Sequence, residues 1–167
     1  MRSMMMHNSE CFFDDISEMR GILSRGKYTS LALSDGNDPY IITLSFGLDP
    51  QEETLYLYGL KTGTKIDFLK SNSYVCGTVI LEKEDLDSQS GLVYESLVYR
   101  GLVEVLHNAE ERMKALNCIA DKLYDAPSDK KSFAQKITDN LDKVLIMKLI
   151  IDEMTGRRNR TALSDFS

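Results

Sequence analysis

Tryptophan is absent from this chain, proline and cysteine occur three times each, and histidine occurs twice. Cys11, Cys76 and Cys118 are too few and too scattered for a disulfide framework or a zinc ribbon. They read as free thiols in a reducing compartment. His7 and His107 lie far apart in sequence, which removes most metal sites and most Ser-His-Asp arrangements. No apolar run approaches the roughly 20 residues of a membrane span, and the start, Met1 to His7, has no apolar core of a signal peptide. The expectation is a cytoplasmic protein that does not engage a membrane. Basic residues are also short: 20 Lys and Arg face 26 Asp and Glu, a net charge of −6. That balance argues against nucleic acid as a partner.

What is present suffices for one folded unit. The 167 residues are 43% hydrophobic and 28% charged, which excludes a disordered chain. A fold of this size buries roughly 70% of its unfolded surface and needs no metal or disulfide staple. Eight Tyr and six Phe remain for stacking on a flat ligand.

Hydrophobic spacing sets out the elements. Asp14 and Asp15 precede Ile16, Met19, Ile22 and Leu23, and Gly26 follows, which predicts a short capped helix. Lys27–Ser34 and Pro39–Phe46 flank the turn cluster Asp35–Asp38 and predict a hairpin, with Pro39 tolerated at the opening of its strand. A second turn, Asp49–Glu53, leads to the strand Leu55–Tyr58. Lys65–Ser71 reads as a short helix and Tyr74–Leu81 as a strand, in which Cys76 reads as a small buried hydrophobe. Glu82–Gly91 is an acidic loop. Val93–Leu106 is a long strand, with Gly101 marking a bend or bulge. Asn108 and Glu111 resemble a capping box ahead of a helix whose stripe, Met113 to Leu123, reads as core packing. The stretch after Pro127 is ambiguous. Val144–Met154 is a last strand, and a polar basic tail follows. Short strands joined by tight turns predict a mainly β chain with peripheral helices (α+β), an antiparallel barrel rather than a doubly wound sheet.

The segment most suggestive of chemistry is Gly59-Leu-Lys-Thr-Gly-Thr-Lys65. Two glycines allow close approach of backbone amides to an anion, Thr62 and Thr64 offer hydroxyls, and Lys61 and Lys65 offer charge. The helix that follows directs its positive end to the same place. It is not a P-loop, since three residues rather than four separate the glycines and Thr precedes the lysine. From residues alone it reads either as a phosphate site or as a turn and cap.

The order of the pieces narrows that choice. A helix, a hairpin carrying Pro39-Tyr-Ile-Ile-Thr43, then Leu55-Tyr-Leu-Tyr-Gly59 and Gly63-Thr-Lys65, then Tyr94-Glu-Ser-Leu-Val-Tyr-Arg-Gly101 and Thr155-Gly-Arg157, together resemble the FMN-binding split-barrel superfamily of pyridoxamine-phosphate oxidase. The nitroimidazole-resistance branch looks closest. The resemblance implies a single split-barrel domain over residues 1–167, with a core of about 14–156, an extension over 1–13 and a polar tail over 157–167. It implies FMN as cofactor, with Lys65 on the phosphate and Gly59, Thr62, Gly63 and Thr64 around it. Tyr58 ends the family's phosphate strand. Thr43 and Ser45 match positions facing the isoalloxazine ring, and Ser96 matches a serine that approaches it. Thr155-Gly-Arg157 matches a segment near the dimer interface. A homodimer with FMN between its subunits and a small-molecule redox substrate are implied.

The sequence also departs from the family. Tyr58 stands where the nitroimidazole branch has His, and Glu95 stands where an Arg precedes Ser96. The basic C-terminal substrate residues of true pyridoxamine-phosphate oxidases are missing, so vitamin B6 oxidation is not favoured. Alternative readings are a flavin-storing module without turnover, and a barrel that binds heme or a deazaflavin.

Overall fold

The computed structural model describes residues 12–49, 51–82 and 93–160. Most of the acidic loop, the first eleven residues and the end of the tail lie outside the described residues. The elements run β1 (Phe12–Phe13), α1 (Ile16–Arg25), β2 (Tyr28–Ser34), β3 (Pro39–Leu48), β4 (Thr54–Leu60), α2 (Thr64–Ser71), β5 (Tyr74–Glu82), β6 (Val93–Val105), α3 (Ala109–Leu123), α4 (Pro127–Thr138) and β7 (Val144–Arg160).

Local chemistry accounts for most of these boundaries. The Asp15 carboxylate accepts the Glu18 amide at 2.8 Å and starts α1. Asp35 accepts the amides of Asn37 and Asp38, each at 2.9 Å, and closes the β2–β3 turn. Asn108 accepts the amides of Glu110 and Glu111 and starts α3. The ambiguous stretch is helix α4, with Pro127 in its first turn, where a missing N–H costs nothing. The sheet extends beyond the expected core at both ends. Phe12 and Phe13 pair with Arg157 and Gly156, and β7 continues to Arg160. Thr155 and Arg157 alternate with Gly156 and Arg158, so both faces of that stretch carry polar groups and the sequence reads as a polar tail.

Strands β2 to β7 close into a six-stranded antiparallel barrel in the order β7-β4-β3-β2-β5-β6, with β6 returning to β7 and β1 added on β7. Leu31, Leu33, Phe46, Leu55, Leu57, Val79, Leu97, Tyr99, Met147 and Leu149 fill the barrel, each 2% exposed or less. The Tyr99 hydroxyl lies 2.6 Å from that of Thr29, so even the polar end of this buried ring is partnered. A second cluster forms where α3 and α4 pack on the outside of β4 and β7, through Tyr56, Leu116, Ile119, Phe133 and Ile146. Met113, at the edge of the expected stripe, is 46% exposed and lines a cleft between α3 and α4. The Lys122 ammonium, from α3, donates to the Leu23 carbonyl of α1 and lies 3.5 Å from the centre of the Phe46 ring. Burial pulls its pKa down to about 7. Cys76 is half-buried on the outer face of β5, opposite Arg100, rather than in the core. No helix among the described residues is long and apolar enough to cross a membrane.

The β6–β7 ladder shifts register at Arg100/Gly101. Arg100 pairs with Glu153 and Gly101 with Ile151, so Asp152 is the extra residue. A Cβ on Gly101 would sit 2.1 Å from the Ile150 carbonyl oxygen, which is why only glycine fits. Gly101→Ala is expected to lower the stability of the fold by about 1–3 kcal/mol through that backbone clash, as read from urea unfolding of both proteins.

Candidate functional site

The last residues of β4 pair only with β7, Gly59 with Leu145 and Leu60 with Val144, and the Lys61 amide donates to the Lys143 carbonyl at 2.9 Å. The chain then turns through Thr62 and Gly63 into α2. Gly63 has φ 103°, a backbone conformation that disfavours side chains, and it caps α2 without a side-chain hydrogen bond. The first amides of α2 therefore lack the side-chain acceptor that caps α1 and α3, and the helix dipole adds positive potential there. Lys65 folds back over Gly59: a Cβ at position 59 would lie 2.9 Å from Lys65 Cε. The Lys65 Nζ reaches the Thr62 carbonyl at 3.4 Å and makes no ion pair among the described residues. Thr62 and Thr64 are exposed beside it. The arrangement is one lysine, two hydroxyls and uncapped amides around a small hollow, with no acid in the segment from Gly59 to Lys65.

That junction borders the opening in the barrel. Strands β3 and β4 pair over Phe46–Leu57, Gly47–Tyr56 and Leu48–Leu55 only. Continuing this register would set Ser45 against Tyr58 and Thr43 against Leu60, yet no ladder forms there. Each strand keeps its other neighbour: β3 stays with β2 and β4 with β7. α2 packs into the divergence, its Phe68 stacked on Tyr40 at 5.2 Å and the Asn72 side chain donating to the Ser34 carbonyl. The split thus has the outer part of β3 on one side and the β4–α2 junction on the other.

The expected site residues fall into three groups. Gly59, Thr62, Gly63, Thr64 and Lys65 come together at the junction. Thr43 and Ser45 lie across the split, on the outward phase of β3, and the Thr43 hydroxyl is 2.9 Å from that of Ser30. Tyr58 shares their outward phase, but its ring turns to α4, edge-on to Phe133 at 5.4 Å. There it lines a cleft of about 440 Å³ with Tyr124, Lys136 and Ile137. Ser96 stands apart from all of these. It lies on β6 beyond β2 and β5, three strand spacings or about 14 Å from β3, and pairs across the ladder with Arg157. A single chain does not bring Ser96 to Thr43.

Glu95 does not face that surface. Adjacent residues of a strand point to opposite sides, and its carboxylate is buried towards α1, accepting Arg25 Nη2 at 3.1 Å and Arg158 Nε at 3.0 Å. Its replacement of a family arginine therefore leaves the charge beside Ser96 to Arg157. Residues not singled out from sequence are Ser30 and Thr78, which pair with each other on the outer face beside Thr43. Counting back from the Asp35–Asp38 turn would have placed Ser30 opposite Thr43. Nothing local in sequence links Thr78 to them.

A six-stranded antiparallel barrel split beside a lysine-bearing helix start is a split barrel of the pyridoxamine 5'-phosphate oxidase-like class. The sequence model of the family "Pyridoxamine 5'-phosphate oxidase" matches residues 15–158, and the chain belongs to that family. Among solved structures, a protein described as a 5-nitroimidazole antibiotic resistance protein from Bacteroides thetaiotaomicron is 27% identical, with a TM-score of 0.69 over 88% of this chain and 86% of that one. An FAD-binding protein from Mesorhizobium loti is 18% identical, with a TM-score of 0.64 over 87% and 96%. The flavocytochrome Anf3 from Azotobacter vinelandii is 13% identical, with a TM-score of 0.69 over 94% and 73%. The latter two share the fold. No curated protein matches the chain.

Proposed function

We propose that this chain is a cytoplasmic flavoprotein that binds FMN as a homodimer and exchanges electrons with a small-molecule substrate. The observation that carries the reading is the β4–α2 junction, where Lys65 lies unpaired by any described acid beside the uncapped amides of α2. An ammonium and amide donors converging on one hollow suit a phosphate better than a neutral group. Lys65 would bind the phosphate, Thr62 and Thr64 would donate hydroxyls to it, Gly59 would leave room for the Lys65 side chain, and Gly63 would keep the turn free of one. Thr43 and Ser45 would line the ring side of the split. FMN supplies hydride and single-electron chemistry at its ring when bound. The protein orients that ring and excludes water from it.

Dimerisation is supported by the outer sheet face. Ile41 is 68% exposed, Tyr28 62% and Ile80 60%, all on outward positions of neighbouring strands. Tyr28 and Ile80 lie towards one end of this face and Ile41 towards the other, with Thr43, Ser30 and Thr78 between them, and large exposed apolar side chains on one sheet face suit an interface. A second copy laid on this face would cover it and would bring its own Ser96 and Arg157 towards the split, which explains why one chain leaves Ser96 remote. A storage role without turnover is favoured by Tyr58, whose ring is held by Phe133 where the nitroimidazole branch carries an imidazole.

Lys65→Ala should weaken FMN roughly ten- to a hundredfold, the loss expected for one charge-assisted contact, and leave riboflavin unchanged. Equal loss of both ligands would remove the phosphate assignment. Protein with no affinity for either would sink the flavin reading altogether. For turnover, the flavin-loaded protein should bleach on anaerobic mixing with NADH or NADPH and recover its colour with an acceptor; a flavin that never cycles leaves the storage role. Ile41→Asp should convert the dimer to monomer in sedimentation velocity, and wild-type protein sedimenting as a monomer would overturn the assembly.

A further inference from the structure

The two sides of α2 face different neighbours. Lys65 and Phe68 lie on the side that meets Gly59 and Tyr40. Ile66, Leu69 and Lys70, at helical spacing on the other side, line a cleft with the ends of β6 and β7. The cleft exists because β5 begins at Tyr74, opposite Leu102, so β6 continues past it with β7 as its only ladder partner. Its volume is about 370 Å³, and its apolar lining is Ile66, Leu69, Val103, Val105, Leu145 and Met147. Val105 is 39% exposed, so the barrel's end is left open rather than filled.

Lys61, Lys70 and His107 complete the lining, and all three are exposed, which places them at the rim. None makes an ion pair among the described residues, and no carboxylate lines the cleft. On a chain with a net charge of −6, a rim of basic side chains over an apolar floor is a local inversion of charge. The donors come singly from three separate elements, without the row of backbone amides that suits a phosphate dianion. A singly charged head fits them, and the floor requires an apolar body.

We propose that this cleft binds a medium-chain monocarboxylate, its head between Lys61, Lys70 and His107 and its hydrocarbon body against Ile66, Val103 and Met147. The site lies across α2 from Lys65 and adjoins the proposed flavin site only through Lys61.

The test is calorimetric titration of the full-length protein with sodium octanoate at neutral pH. One octanoate per chain is expected. Octan-1-ol, of the same length without the charge, should bind at least tenfold more weakly. Hexanoate, two methylenes shorter, should lose about fifteenfold, from roughly fourfold per buried methylene. Lys70→Gln should weaken octanoate about tenfold and leave FMN affinity unchanged, whereas Lys65→Ala should do the reverse. Val105→Phe, with folding checked by circular dichroism, should fill the cleft and abolish binding. Absence of binding, equal affinity for octanol and octanoate, indifference to Lys70→Gln, or mutual displacement of FMN and octanoate would each overturn the proposal. Failure of FMN to bind would leave the octanoate result standing, so the two readings fail separately.

Discussion

The ladder between β6 and β7 is the constraint on which the rest of the molecule depends. All 13 residues of β6 have a partner on β7, from Val93 with Arg160 to Val105 with Met147. This seam turns an open sheet into a barrel and removes the two long edges that would otherwise remain exposed. It also fixes where the barrel can open. β7 is committed to β4 on its other side and β2 to both β3 and β5, so divergence is confined to the junction of β3 and β4. α2 and the hollow beside Gly59 occupy that opening. The candidate site is thus a consequence of closure elsewhere.

Charge is distributed to match. On the strands, Glu104 is paired with Lys148 and Glu153 with Arg100, and Glu95, next to Ser96 in sequence, is turned inward. Glu95, Arg25, Arg158 and Glu18 form one alternating set that ties α1 to the barrel. Asp49 is buried and paired with Lys114, also accepting the Gln51 amide at 2.9 Å. Burial works to raise its pKa, but these partners outweigh it and hold the carboxyl below its usual value. Those acids are thereby kept away from the start of α2, whose own first turn carries Asp67 beside Lys65. An anion site on an acidic protein requires that separation.

Much of the fold was legible because its signals are local. The Asp15 and Asn108 caps, the Asp35–Asp38 turn and the glycine at the β6 irregularity each act within a few residues. The limits of β7 were not legible, since Thr155 to Arg158 is polar on both faces and that end of the strand gains its structure from pairing with β6 and β1. Cys76 was misplaced because a small apolar residue fits either face of a strand, and only the register decides. The candidate site was legible in part. Gly59 to Lys65 is contiguous, so its chemistry can be read directly. The remoteness of Ser96 from Thr43 depends on the strand order β3-β2-β5-β6, and the turn of Tyr58 towards Phe133 depends on where α4 packs. Neither leaves a mark on neighbouring residues.

The extra residue at Asp152 acts on β7 as a shift of reading frame. Before it, Met147, Leu149 and Ile151 face the barrel; after it, the inward positions are Met154 and Gly156, and Thr155 and Arg157 face out beside Val98 and Ser96. One residue fewer would reverse that phase. Thr155 and Arg157 would enter an apolar interior, while Gly156, where a Cβ would strike the Phe13 ring at 2.3 Å, would lose the contact that seats β1. Chain length between Ile151 and Met154 therefore governs the chemistry of a surface several residues away, and a substitution there disturbs that surface far less than the gain or loss of one residue.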